Sequence, residues 1–144
     1  MNAQTTEKTT INHAESYLLI ENEDLTLVVV SAQILSGCKI VLSRYENVVF
    51  SDCTFYATEF QGVTFKDCIF ENCNFEFSHF KKCKFVNCNF NNCTWTASSS
   101  QTSLYADCDI QTEMDECLSK GQNQITHSRE DHTTDIYIEL AIAA

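Results

Sequence analysis

The sequence is poor in the two residues that most often shape tight ligand-binding loops. Its 144 residues contain no proline and only three glycines, Gly37, Gly62 and Gly121. A loop that cradles phosphate needs closely spaced glycines, because its backbone N–H groups must approach the ligand without interference from side chains. We therefore expect no nucleotide-binding loop.

Basic residues and long apolar runs are also scarce. Twenty acidic residues against nine basic ones give a formal net charge of −11, which disfavours direct binding to nucleic acid or to an anionic membrane. The apolar run LTLVVV is too short to span a bilayer, and no basic stretch followed by an apolar one marks a secretory signal. These absences predict a soluble cytoplasmic protein.

Phenylalanine, by contrast, is abundant and regularly spaced. Every fifth residue from Phe50 to Phe90 is phenylalanine, and Trp95 takes the next such position. Five residues advance an α-helix by about 500°, so the rings would spiral around its axis, and on a flat strand they would alternate between two faces. The chain must instead turn a corner every few residues, so that each ring points into one shared interior.

A second inward position lies two residues before each of these rings. Small side chains are needed beside bulky ones, and free cysteine packs as a small apolar residue. The position is filled by eight of the nine cysteines, Cys38, Cys53, Cys68, Cys73, Cys83, Cys88, Cys93 and Cys108. Cys117 alone lies off the pattern, as an ordinary residue of the C-terminal segment.

Disulfides and zinc are the two alternatives for these cysteines. Cysteines stacked on neighbouring coils would keep their Cβ atoms about 4.8 Å apart, beyond the roughly 3.8 Å that a disulfide requires. The run Cys83, Cys88 and Cys93 resembles a series of metal ligands, but residues five apart would project from different walls. We expect free thiols, with no metal and no cofactor.

The pattern resembles that of pentapeptide-repeat proteins over roughly residues 21–112. The family repeats a small residue, Asp or Asn, Leu or Phe, and two variable positions. Here cysteine replaces the usual alanine, and Asp or Asn often precedes the small residue, as at Asp52 and Asn72. The resemblance implies an all-β, right-handed quadrilateral β-helix with about twenty residues per coil, hence about four to five coils, closed by short capping segments.

We divide the chain into an N-terminal cap, residues 1–20, a β-helix, residues 21–112, and an acidic C-terminal segment, residues 113–144. Asn12 and Glu15 match a capping box, which predicts a short N-terminal helix or strand over the first coil. From residue 105 onward nine acids face two bases, so this end of the chain carries most of the negative charge.

A short helix is predicted at residues 113–120. Thr112 and Asp115 form a loose capping box, and Gly121 follows Lys120 as a suitable C-cap. The side chains expected to face the last coil are Met114, Cys117 and Leu118.

Beyond this helix, residues 122–134 are polar and predict a loose loop. Residues 135–144 alternate apolar and polar side chains, which favours a half-buried strand, although their Glu, Leu and Ala content also suits a helix. The apolar side needs cover from the solenoid itself or from a second chain. A homodimer through this C-terminal segment is therefore one of the two alternatives.

Two groups of side chains are candidates for binding a protein partner. Tyr56 and Phe77 face outward and should be neighbours beside Glu76, where exposed rings can act as binding hot spots. With twenty residues per coil, the segments 41–46, 61–66 and 81–86 share one wall of net charge +4. Its basic residues are Arg44, Lys66, Lys81, Lys82 and Lys84, against Glu46 alone.

Catalysis is not expected, because a tube filled with rings offers no concave site where polar groups converge. The leading hypothesis is a non-catalytic protein-interaction module or scaffold whose partner is unknown. The alternative is an acidic inhibitor of a basic protein, either a toxin-immunity partner or a DNA mimic acting on gyrase, as the resemblance implies for some family members. Nearly balanced walls and an uninterrupted lattice make gyrase mimicry the minor hypothesis.

Overall fold

The chain winds into a four-walled tube of short parallel strands. A computed structural model describes residues 10–11 and 14–128. The strands are β1 (Thr10–Ile11), β2 (Ala14–Ser16), β3 (Leu19–Glu21), β4 (Asp24–Thr26), β5 (Val29–Ser31), β6 (Ile34–Ser36), β7 (Lys39–Val41), β8 (Arg44–Glu46), β9 (Val49–Ser51), β10 (Thr54–Tyr56), β11 (Glu59–Gln61), β12 (Thr64–Lys66), β13 (Ile69–Glu71), β14 (Asn74–Glu76), β15 (His79–Lys81), β16 (Lys84–Val86), β17 (Asn89–Asn91), β18 (Thr94–Thr96), β19 (Ser99–Gln101), β20 (Leu104–Ala106) and β21 (Gln124–Thr126).

Each wall is one parallel sheet. Wall A contains β1, β5, β9, β13 and β17; wall B contains β2, β6, β10, β14 and β18; wall C contains β3, β7, β11, β15 and β19; wall D contains β4, β8, β12, β16, β20 and β21. From β2 onward, paired residues lie twenty positions apart, as Phe50 and Phe70 do. The predicted all-β, four-walled solenoid is confirmed. The predicted count of four to five coils is wrong: there are about six, because the ladder extends beyond the predicted repeat region at both ends.

The interior follows the five-residue pattern. From β5 to β20 the middle residue of each strand is buried in the interior. Rings twenty residues apart stack: the centroids of Phe50 and Phe70 are 4.8 Å apart with planes at 8°, and those of Phe75 and Trp95 are 4.2 Å apart. Phe70 is 1% exposed. Since full burial of such a side chain contributes about 1.5–3 kcal/mol, the rings dominate the stability of the tube.

One residue in each five forms the corner between two walls, and its φ is positive. Asp52 (φ 56°) and Asn72 (φ 54°) are examples, and Gly37 and Gly62 occupy equivalent positions. Asn, Asp and Gly tolerate this left-handed conformation better than other residues. The Asp and Asn residues that precede cysteine are therefore corner residues, which explains why this chain departs from the usual order of the repeat.

The N-terminal capping box predicted a short helix or strand, and the helix is wrong. Glu15 lies in β2, in register with Leu35 of wall B, so this segment already belongs to the coiled ladder. The ladder thus includes described residues before position 21. Register slips by one residue at β1, where Thr10 pairs with Val29.

The opposite end is closed by the predicted short helix. A 3₁₀ turn, η1 (Thr112–Met114), leads into α1 (Asp115–Ser119), and Met114, Cys117 and Leu118 are buried against the last coil as expected. The predicted caps are wrong, because no side chain caps either helix start. Gly121 does not have a positive φ; it is needed because a Cβ there would overlap the carbonyl oxygen of Ser100.

Asn123 ties this helix to the tube. Its amide Nδ2 donates to the carbonyl oxygens of Leu118 (2.8 Å) and Ser100 (2.9 Å), and its Oδ1 accepts from the backbone N–H of Ser103 (3.0 Å). The Leu118 carbonyl is one of those that the helix end leaves without an intrahelical partner. One side chain therefore satisfies the helix end and fastens it to wall C.

The predicted loop at residues 122–134 is wrong in its first part. Residues 124–126 form β21, in register with Leu104 to Ala106 of wall D. The helical segment replaces the strands of walls B and C in the last coil. Leu104 and its partner Gln124 are nevertheless twenty residues apart, as in the other coils. The terminal segment at residues 135–144 lies outside the described residues.

Candidate protein-interaction surface

Tyr56 and Phe77 are in contact on the outside of the tube, as predicted. Tyr56 is the last residue of β10, and Phe77 is the corner residue between walls B and C. Their ring centroids are 5.7 Å apart and their planes meet at 83°, an edge-to-face arrangement that favours aromatic pairs. The two residues are 44% and 49% exposed. Glu76 is in register with Tyr56 and borders the pair.

Phe77 differs from its neighbours in the same corner column. Its φ is 53°, and the residues one coil before and one coil after it, Ala57 and Ala97, are small, although Tyr17 at the N-terminal end of the column is also bulky. A bulky side chain in the left-handed region is disfavoured, and a half-exposed ring contributes less to the core than a buried one. The fold alone therefore gives little reason for phenylalanine at this position.

The predicted basic wall divides into two groups. Arg44 and Lys66 lie on wall D, and each approaches the same carboxylate of Glu46, with N–O distances of 3.4 Å and 4.0 Å. These exposed ion pairs contribute little to stability. They do, however, offset part of the positive charge on this wall.

The second group wraps a corner instead of lying on one wall. Lys81 ends β15 on wall C, Lys82 is the corner residue with φ 53°, and Lys84 begins β16 on wall D. All three are exposed. Among the described residues, no ion pair includes any of them, so their charges are not balanced locally.

Wall A and its two corners form a face of opposite character, which the sequence analysis did not identify. Between residues 27 and 109, the strands and corners of this wall contain acids and no lysine or arginine; we call it the acidic face. Its carboxylates belong to Asp52, Asp67, Glu71, Asp107 and Asp109. The signal was present, because corner acids recur at positions separated by whole coils. It emerges only when the sequence is written in rows of twenty.

The cysteines are buried free thiols, as predicted. The Cys73 thiol donates to the carbonyl oxygen of Phe50 at 3.3 Å, and its contacts with the thiols of Cys53 and Cys93, together with burial, raise its pKa far above the ordinary value. Burial also raises the pKa of Cys83 to about 11. Since the thiolate is the nucleophile and metal ligand, the raised pKa values of Cys73 and Cys83 disfavour reaction at these two thiols in the folded state.

A cavity of about 270 Å³ lies inside the first coils. Its lining is mostly apolar but includes Glu15 and Glu23, and the Tyr45 hydroxyl donates to Glu23 Oε1 at 2.8 Å. Burial, followed by the nearby Glu23 charge, raises the pKa of Tyr45. Within the described part of the chain, His, Cys, Asp and Glu form no group of three suited to a metal ion.

No helix among the residues that the structure describes is both long and apolar enough to cross a membrane.

Comparison with known proteins identifies a family. The family model described as "Pentapeptide repeat region" matches residues 35–116. No curated protein matches the sequence significantly.

Several solved structures are similar to this chain at very low sequence identity and with TM-scores below 0.5. A trypsin-treated variant of QnrB1, a plasmid-mediated fluoroquinolone resistance protein, is 14% identical with a TM-score of 0.45; the match covers 72% of this chain and 55% of that one. The pentapeptide repeat protein Rfr23 from the cyanobacterium Cyanothece 51142 is 10% identical with a TM-score of 0.28, over 68% of this chain and 88% of that one. This chain thus spans little more than half of the QnrB1 variant.

Proposed function

This chain belongs to the pentapeptide-repeat family, since the family model covers more than half of it, and we propose that it is a non-catalytic protein-interaction module. The observation that carries the proposal is the exposed edge-to-face pair of Tyr56 and Phe77. The partner is unidentified. We place the protein in the cytoplasm, because free thiols persist in a reducing compartment.

The pair has the properties of a binding hot spot. Binding energy at protein interfaces concentrates in aromatic and arginine side chains that a partner can desolvate. Tyr56 lies on a strand that is hydrogen-bonded to neighbours on both sides, and the Phe77 backbone N–H donates to the Thr96 carbonyl oxygen at 2.9 Å. Because the backbone beneath both rings is held in the ladder, a partner would order few additional groups on binding.

Affinity capture from the native host, followed by measurement of the purified partner, tests this proposal. We expect the Tyr56→Ala/Phe77→Ala double variant to weaken binding by at least about tenfold, the loss typical of one hot spot. The matched control is Leu27→Ala/Leu42→Ala, which removes two exposed apolar side chains away from wall B and should leave affinity unchanged. Equal binding by wild type and the double variant, with both folded, would refute the proposal.

The acidic face favours a second candidate function, that of an acidic inhibitor of a basic protein such as a toxin or gyrase. Charges of one sign on one face accelerate association with a basic partner. In this case complex formation should weaken steeply with salt and depend on Asp67 and Glu71 instead of the aromatic pair. A supercoiling assay would distinguish a gyrase inhibitor from an inhibitor of another basic protein.

A further inference from the structure

A single coil carries an outward row that joins the aromatic pair to the unpaired lysines. The row consists of Phe77, His79, Lys81, Lys82 and Lys84, all exposed. We propose that this row, which crosses wall C, binds an acidic protein segment that carries one apolar anchoring side chain. The inference rests on the proposed function and specifies the chemistry of its partner.

The lysines have no neutralising neighbours in the adjacent coils. Glu59 is the carboxylate nearest in register, and it lies opposite His79 in the ladder instead of opposite a lysine. The residues in equivalent positions one coil before and one coil after the three lysines are all uncharged: Gln61, Gly62, Thr64, Gln101, Thr102 and Leu104. Three like charges within four residues therefore create a local positive potential on a protein whose net charge is −11.

A recess beside the lysines offers further hydrogen-bond donors. It has a volume of about 360 Å³ and is lined in part by Lys82, Lys84, Thr102, Gln122 and Gln124. Ammonium, hydroxyl and amide groups can all donate to a carboxylate, and bonds between charged partners are the stronger ones. An acidic side chain entering here would meet both charge and directional donors.

The separation of the two ends sets the spacing expected in the partner. Phe77 and Lys81 are four residues apart along wall C, which corresponds to at most about 13 Å at roughly 3.3 Å per residue. A partner in extended conformation would therefore carry its apolar anchor and its first carboxylate about three to five residues apart. Between them, wall C presents the His79 imidazole, whose Nδ1 is 2.6 Å from Ser99 Oγ.

A short segment fits this row better than a long polyanion. The acidic face has no compensating base, and the whole chain carries −11, so an extended nucleic acid would be repelled outside the row. A peptide segment meets only the row and its immediate surroundings. Electrostatic complementarity over such a patch chiefly supports specificity and the rate of association.

A displayed library of short random peptides, selected on the full-length protein, tests this inference directly. We expect the wild type to enrich peptides with an aromatic or aliphatic residue about three to five positions from a pair of acids. The variant Lys81→Glu/Lys82→Glu/Lys84→Glu should retain the apolar preference and lose the acidic one. Enrichment of peptides without acids by the wild type would overturn the inference.

The control changes the same amount of charge elsewhere. Lys39→Glu/Arg44→Glu/Lys66→Glu alters three exposed bases outside the row and should keep the acidic preference. For one selected peptide, fluorescence anisotropy should show at least about tenfold weaker binding to the row variant and less than about twofold change for the control.

The selections also separate this inference from the function on which it rests. If the row variant still selects acidic peptides with wild-type affinity, the acidic partner is refuted and the aromatic interaction surface stands. If Tyr56→Ala/Phe77→Ala selects the same peptides as the wild type, the proposed function itself fails. Circular dichroism confirms that each variant is folded before selection.

Discussion

The first coils and the central coils share one backbone ladder but fill it differently. The first coils are lined by aliphatic side chains such as Leu25, Val30 and Ile40, and surround a partly open cavity of about 270 Å³ that ends on the first aromatic rings. In the central coils, stacked rings such as Phe60 and Phe80 are 4.5 Å apart, which is direct contact. The twenty-residue repeat therefore determines the shape of the tube, whereas side-chain size determines how completely it is packed.

The thiol hydrogen bonds show the same contrast. Cys38, near the first coil, donates to the carbonyl oxygens of Glu15 and Ser36 at 3.8 Å and 3.7 Å. Cys73, in the centre, donates to those of Phe50 and Glu71 at 3.3 Å and 3.5 Å. Longer bonds and looser packing indicate that local opening costs less free energy at the N-terminal end.

Removal of a central ring should have the largest effect. We expect Phe70→Ala to reduce the free energy of unfolding by about 3–5 kcal/mol, because it deletes a fully buried ring from a stack. Leu25→Ala, at a half-buried position of the first coils, should cost only about 1 kcal/mol. Urea unfolding curves measure both losses, and equal losses would contradict the contrast.

The rates of thiol alkylation should also differ between the first coils and the central coils. In the native state we expect Cys38 to react with an alkylating reagent at least about tenfold faster than Cys73, since local opening is easier near the first coil. The rate at Cys73 should rise with pH, because only the thiolate reacts and the pKa of Cys73 is raised. Mass spectrometry of peptides quenched at successive times gives the two rates; identical rates would refute the prediction.

Extension of the aromatic stack into the first coils should have the smallest effect. Ile40 lines the cavity and is in register with Phe60. Ile40→Phe should fill part of the cavity and stabilise the fold by about 0.5–2 kcal/mol. The control Ile40→Val should instead lose about 0.5–1.5 kcal/mol. A melting temperature for Ile40→Phe below that of the wild type would show that the first coils cannot accommodate the ring.

The sequence predicted the interior because the interior obeys one strict rule. Ring and thiol positions from Cys38 to Cys108 followed from spacing alone. The corners were missed, since a single chain shows three outward positions per repeat, and only the left-handed φ, as at Asp52 and Asn72, distinguishes the corner from the other two. Gly37 and Gly62 share that position and could have revealed it.

The ends were harder because their inward residues break the rule. Glu15 occupies a position that is apolar in the central coils, which hid the first coil. After Ile110 the ring position falls on Asp115, so β21 was not anticipated, although Ile125 and Asn123 return to the pattern. For the candidate surface, the contact of Tyr56 with Phe77 could be predicted from the coil length. The division of the basic residues into two groups could not, because it depends on the ion pairs that Arg44 and Lys66 form with Glu46.

The helical segment keeps the twenty-residue count between Leu104 and Gln124. The capping segment has the same number of residues as the wall strands and corners that it replaces. Duplication or deletion of one whole coil upstream would therefore leave the capped end unchanged. Gene segments of sixty nucleotides, repeated in frame, could then lengthen or shorten the rod without any redesign of its terminus. The length of such a protein can therefore change through duplication of coils alone.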